Sequence, residues 1–188
     1  MSAPRYLFPK VYADFVQRLR VPAGFALLGT FAWLSRPEAA SLLLGLPVST
    51  LGLLLRAWAA GHLAKDRQLA TTGPYAYLRN PLYAGTLIAA LGVVMASRSV
   101  MLAIVFAVVF VLVYLPAIEL EEQHLRGIFT DYARYAACVH RFVPFRKWPG
   151  SDGKFSFDLY RRNEEYKAAI GFALAALWLV WKWRRTIL

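Results

Sequence analysis

Two polar stretches hold most of the side chains that could do chemistry in this 188-residue chain. The first runs from His62 to Tyr83 and includes Leu69, Gly73, Tyr75, Tyr77, Arg79, Asn80 and Pro81. Gly73-Pro74 is a turn signal, and Asn80-Pro81 biases Asn80 away from helix, so Pro81 is expected to open a helix at its first position. Tyr75, Tyr77, Arg79 and Asn80 then lie on a constrained loop just ahead of a helix N-terminus, a place that suits anions, with Tyr83 in the first turn. The second stretch is Glu119-Leu-Glu-Glu-Gln-His124, followed by Phe129, Tyr132 and Tyr135. Three carboxylates at the end of an apolar helix oppose its macrodipole and call for compensation by a cation or an arginine of the first stretch. Both stretches also have a plainer reading. Tyr and Arg can anchor a helix at an interface, and Glu122 can pair with Arg126 one turn on along a solvated helix.

The elements that must position these residues are apolar. Hydrophobic residues make up 59% of the chain and charged residues 18%, against roughly 45–50% and about 25% in soluble domains. Apolar runs cover Val21 to Ser35, Ala39 to His62, Leu82 to Ser97, Val100 to Ile118 and Ala168 to Trp181. The expected fold is all-α: a single domain over 1–188 with four transmembrane spans and a fifth C-terminal apolar helix near 168–183. The break Ser97-Arg98-Ser99 leaves room only for a helical hairpin. Trp178, Trp181 and Trp183 cluster where an aromatic belt would lie.

Lys and Arg are concentrated in residues 1–20, 56–79 and 119–167, whereas the two opposite loops carry only Arg36 and Arg98. By the positive-inside rule the N-terminus and both polar stretches face the cytoplasm of a multi-pass integral membrane protein. Lys182, Arg184 and Arg185 run against that rule if the fifth run spans fully, and the alternative is an interfacial or re-entrant helix. Met1 to Lys10 has no apolar h-region and is not expected to be a removed signal peptide.

Several classes are disfavoured. No G-x-G occurs, so neither a Rossmann fingerprint nor a P-loop is present. His62, His124 and His140 lack metal-ligand spacing, and the lone Cys138 near His140 has no other support as a nucleophile. The net charge of +11 suits an anionic membrane surface. Nucleic acid is not an expected partner, because the basic residues of 119–167 are interleaved with acids.

Taken together, the motifs resemble the isoprenylcysteine carboxyl methyltransferase and phospholipid methyltransferase superfamily of membrane enzymes. Gly73-Pro-Tyr-Ala-Tyr-Leu-Arg-Asn-Pro-Leu-Tyr-Ala-Gly85 is similar to the family's G-x-Y-x-x-x-R-[HN]-P-x-Y-x-G. Glu121-Glu122 followed by Leu125, Phe129, Tyr132, Tyr135, Val139 and Pro144 is similar to its E-E-x-x-L…F…Y-x-x-Y…V…P. The match runs from about His62 to Phe145, inside a core of about 40–146, with the C-terminal helix as an extension. Asn80 stands where the carboxyl methyltransferases usually have His, which weakens any inference to a prenylcysteine carboxylate.

The resemblance implies a cytosol-facing pocket for S-adenosyl-L-methionine and a lipophilic or amphiphilic acceptor arriving from the bilayer. His62, Leu69, Gly73, Tyr75, Tyr77, Asn80, Pro81, Tyr83 and Glu121 are the expected cofactor-binding residues. Arg79 is expected to hold or neutralise the acceptor and Glu122 to act as base or orienter, although Glu121 and Glu122 could exchange roles. A small-molecule channel or transporter and a non-catalytic membrane scaffold are the competing functions.

Overall fold

The computed structural model describes residues 8–187; residues 1–7, and with them Arg5 and most of the expected N-terminal tail, lie outside the described residues. The architecture is all-helical. Helix α1 covers Lys10–Leu34, α2 Ala39–Ala60, α3 Pro81–Ser97, α4 Val100–Val109, α5 Leu115–Ile128, α6 Tyr132–Cys138, α7 Phe157–Arg162 and α8 Tyr166–Ile187. Helices α4 and α5 are joined by a π-helical turn, Phe110–Tyr114, into one rod over Val100–Ile128. That rod and α2 are long and apolar enough to cross a membrane, whereas Pro22–Leu34 and Pro81–Ser97 are apolar but shorter.

Two boundaries correct the expectations. Helix α1 begins at Lys10, eleven residues before the apolar run at Val21, because Val11, Tyr12, Phe15, Val16 and Leu19 supply an apolar stripe that Asp14 and Arg18 interrupt only on other faces. The helix expected to end at Ile118 continues to Ile128, so Glu119 to His124 lie within a helix and not beyond its end.

The tightest packing joins α2 to α3 through small residues. Any Cβ added at Gly45 or Gly52 would run into the backbone of Gly92, Ala96, Gly85 or Ala89. The Ser49 hydroxyl donates to Ala89 O at 2.7 Å and Ser41 to Ala96 O at 2.9 Å. Small residues with hydroxyls bonding across the seam are how helices associate where lipid removes the hydrophobic drive between them. The outward faces are apolar: Leu43 and Leu44 on α2 and Met101 and Ile104 on α4 are all more than half exposed, and so continuous a surface suits hydrocarbon better than water.

The π turn has a local cause. Pro116 has no N–H, so the carbonyl of Leu112 four residues earlier loses its helical donor. The Tyr12 hydroxyl of α1 donates to that carbonyl at 2.8 Å. A partner of this kind is required wherever a helix is broken at membrane depth.

Helix α8 runs the length of the bundle. At its start Glu165 accepts from Arg56 Nε and Nη2 at 2.5 and 3.0 Å. Near its end Lys182 Nζ donates to Ala32 O and Trp33 O, both at 2.9 Å, at the C-terminus of α1. Leu179 is fully buried in a cluster with Phe31, Leu42, Ala96 and Leu102. The predicted hairpin is present: Arg98 takes a left-handed conformation and pairs with Glu38.

Candidate active site

The two polar stretches meet at one end of the bundle. The link begins with backbone. Leu78 forms a parallel bridge with His140, and the amides of Arg79 and Asn80 donate to His140 O and Arg141 O at 2.9 and 3.3 Å. This short extended pairing occupies the non-helical residues before Pro81, which opens α3 as predicted. It fixes Arg79 and Asn80 against α5.

Glu122 is the hub of this junction. It is 3% exposed. Its Oε1 accepts from Asn80 Nδ2 at 2.9 Å, and its Oε2 accepts from Arg141 Nε and Nη2 at 3.0 and 2.8 Å. Arg79 Nε stands 3.6 Å from Oε1, close enough for attraction but too far for a hydrogen bond. Glu122 therefore pairs with two arginines from other segments, and not with Arg126 one turn on; the Arg126 guanidinium lies 5.3 Å from the centre of the Tyr132 ring. Burial opposes the charge on Arg141, but the hydrogen bonds and attraction of Glu122 overcome it and hold its pKa up.

A cavity of about 720 Å³ opens beside the hub, between the 63–83 segment and α5, within the range of small-molecule sites, roughly 300–1,000 Å³. Its walls include Leu69, Tyr75, Arg79, Asn80, Pro81, Tyr83 and Glu121 from the expected set, together with Asp66, His124, Leu125, Tyr132 and Tyr135. Exposed Glu121 accepts from the Tyr83 hydroxyl at 2.9 Å. Across the mouth, His124 Nε2 lies 3.2 Å from Asp66 Oδ1.

Three of the expected residues stand behind the wall. Gly73 takes a positive φ of 57°, and a Cβ there would strike the His62 ring. His62 Nδ1 lies 2.9 Å from Thr72 Oγ1, and its ring meets Trp58 and Phe155 edge-on; burial lowers its pKa. Tyr77 is partly exposed, with Lys147 Nζ 6.0 Å from its ring centre.

Several participants carried no sequence signal of their own. Arg141 is one, since nothing in its neighbourhood announces a partner nineteen residues away. Asn163 is another: its amide donates to Ala60 O and Leu63 O, each at 2.9 Å, closing the C-terminus of α2 from beyond the family-like core. Tyr132 belonged to a quoted motif without an assigned role. Burial, with Glu122 adding to it, pushes its pKa up to about 12. The Tyr135 hydroxyl donates to Tyr75 O at 2.6 Å, while the Tyr132 hydroxyl and Arg79 Nε are buried without a hydrogen-bond partner among the described residues.

Comparison with known proteins agrees with the motifs. The model of the phospholipid methyltransferase family matches residues 49–132. A cobalt-zinc-cadmium resistance protein, CzcN, of Cupriavidus metallidurans is 34% identical over 54% of this chain and 47% of its own. A nickel-cobalt-cadmium resistance protein, NccN, of Alcaligenes xylosoxydans xylosoxydans is 32% identical over 60% of this chain and 52% of its own. Phosphatidylethanolamine N-methyltransferase B of Dictyostelium discoideum is 38% identical over 32% of this chain and 30% of its own. The chain thus spans about half the length, or less, of the curated relatives it matches. No solved structure matches it significantly. Over residues 49–132, under half of the chain, which hold the first motif and the Glu121-Glu122 start of the second, the sequence is similar to the phospholipid methyltransferase family.

Proposed function

We propose that this chain is a multi-pass membrane methyltransferase that uses S-adenosyl-L-methionine to methylate a lipophilic or amphiphilic acceptor reaching the cavity from the bilayer. The observation that carries this reading is the cavity itself: one wall bears an accessible carboxylate and tyrosine rings, and another bears buried nitrogen and hydroxyl donors. The donor molecule brings a methyl group on a sulfonium, an ammonium and a carboxylate, so it calls for that combination. Glu121 attracts its ammonium, Tyr75 and Tyr83 offer faces to its cationic centre, and Arg79 and Asn80 are the donors beside Pro81, at the N-terminus of α3.

Direct transfer from a sulfonium needs little covalent help from the protein. The residues contribute by holding acceptor and donor in line and excluding water. Glu122 acts as orienter: with both oxygens committed, it holds Asn80 and Arg79 at the cavity wall and is poorly placed to take a proton. His62, Gly73 and Tyr77 support the fold of the loop behind the cavity. In this reading α1, α2, α3 and the α4–α5 rod are the four spans and α8 the fifth, with the cavity facing the cytoplasm.

Calorimetric titration of purified, detergent-solubilised protein with S-adenosylhomocysteine tests the reading. Saturable binding that Glu121→Ala abolishes supports it, and no binding to the wild type rejects it. The names of the two bacterial relatives favour a second reading, a part in tolerance of cobalt or cadmium. Among the described residues no group of three or more His, Cys, Asp and Glu side chains could hold a metal ion, so that role would be indirect, and growth of a deletion strain on either metal tests it.

A further inference from the structure

We propose that Tyr132 and Arg79 form an oxyanion site within the cavity, one that takes the carboxylate or phosphate group of a bound ligand. The inference rests on the proposed function only in placing a small molecule in that cavity.

Tyr132 is 1% exposed and lines the cavity from the first residue of α6. Its hydroxyl has no hydrogen-bond partner among the described residues. Leaving a buried hydroxyl unbonded is costly, and a phenylalanine would pack the same space without that cost. The neighbouring Tyr135, equally buried, has its hydroxyl satisfied by Tyr75 O at 2.6 Å, so this cluster is able to provide a partner for such a group. Burial, reinforced by Glu122, pushes the Tyr132 pKa up to about 12, so at neutral pH the hydroxyl keeps its proton and donates.

Arg79 lines the same cavity with the same deficit. Its Nε is buried and unbonded, and the nearest carboxylate oxygen, Glu122 Oε1 at 3.6 Å, already accepts from Asn80. The other oxygen of Glu122 is taken by Arg141. Glu122 thus orients Arg79 without consuming its hydrogen-bonding capacity. A cationic guanidinium and a neutral phenol, both donors and both closed to bulk water, fit an anionic oxygen ligand.

The ligand group has two sources: the carboxylate of the methyl donor's amino-acid end, or a phosphate or carboxylate of the acceptor. The test uses the full chain in detergent, as wild type, Tyr132→Phe and Arg79→Lys. Each is titrated with S-adenosylhomocysteine, with 5′-methylthioadenosine, which lacks the amino-acid end, and with a short-chain lysophosphatidic acid, and is melted without ligand. Tyr132→Phe is expected to leave the ligand-free melting temperature unchanged or raised, and to weaken one oxyanion ligand about tenfold or more. Arg79→Lys, which keeps the charge but loses the planar fork, weakens the same ligand.

Weakening of S-adenosylhomocysteine with 5′-methylthioadenosine unaffected assigns the site to the donor's carboxylate. Weakening of lysophosphatidic acid alone assigns it to the acceptor. If the wild type binds lysophosphatidic acid through Tyr132 but not S-adenosylhomocysteine, the oxyanion site stands and the methyl-donor reading falls. The proposal is overturned if Tyr132→Phe leaves both affinities unchanged, whatever its ligand-free melting temperature, or if neither oxyanion ligand binds the wild type.

Discussion

At the end of the bundle away from the cavity, Lys182 closes the last carbonyls of α1, Arg98 pairs with Glu38, and the Ser41 hydroxyl bonds Ala96 O across the α2–α3 seam. At the cavity end, Glu122 is just as well bonded by Asn80 and Arg141, yet two buried donors beside it, Arg79 Nε and the Tyr132 hydroxyl, have no hydrogen bond among the described residues. The same helices supply both ends. One end satisfies its polar groups and serves to hold the helices together, whereas the other holds, beside the hub, two buried donors without a partner among the described residues. Incomplete satisfaction beside a fully bonded hub is the mark of a site that is rigid in its support and open in its chemistry.

Breaking the hub should give the largest effect. Glu122→Ala leaves Arg141 and Arg79 facing a lost carboxylate and is expected to cost about 3–5 kcal/mol, read as a fall in melting temperature in detergent. Glu121→Ala, at an exposed position one residue away, should move stability by no more than about 0.5 kcal/mol while removing S-adenosylhomocysteine binding. Similar stability losses in the two variants would erase the contrast between hub and wall.

Gly92→Ala forces a methyl into the backbone of Gly45 and Ser49. We expect a loss of about 1–3 kcal/mol from overpacking, seen by thermal unfolding, with ligand affinity changed little because the seam lies away from the cavity.

At the far end, Lys182→Met removes the donor to Ala32 O and Trp33 O and should cost about 0.5–1.5 kcal/mol for the lost bonds, again without weakening S-adenosylhomocysteine. A change in affinity there would show that the two ends are coupled through α8.

The smallest expected effect is on pH dependence. The pKa of His62 is lowered by burial, so the unfolded chain binds its proton first as pH falls. The stability that neutral His62 contributes is full above its ordinary value of about 6.5 and is lost as pH drops from there through the folded pKa. His62→Asn should flatten that part of a stability curve measured between pH 7.5 and 5.

The amphipathic start of α1 is not a continuous apolar run, because Asp14 and Arg18 break the run without breaking the stripe. The pairing of α2 with α3 was legible in principle from Gly45, Ser49 and Gly52 against Gly85, Ala89 and Gly92, spaced three or four residues apart on each helix. Motif spacing located the site stretches, yet it did not separate residues on the cavity wall from those behind it. Tyr75 and Tyr83 line the cavity whereas Tyr77, lying between them, does not; a 3₁₀ turn over Gly73–Ala76 followed by extended backbone gives neighbouring tyrosines unrelated directions.

The sequence by itself determined the helical class, the hairpin at Arg98, the opening of α3 at Pro81, and the segregation of Lys and Arg into loops that the structure gathers at one end. These follow from local physics: the length of apolar runs, the missing N–H of proline, and the cost of charge in hydrocarbon. Only the tertiary structure decided that Glu122 takes Arg141 and not Arg126, that Tyr12 repairs the carbonyl freed by Pro116, and that Tyr132 and Arg79 hold unspent hydrogen-bonding capacity. Each of these depends on which groups from distant segments meet at hydrogen-bond distance, and no local preference encodes that meeting.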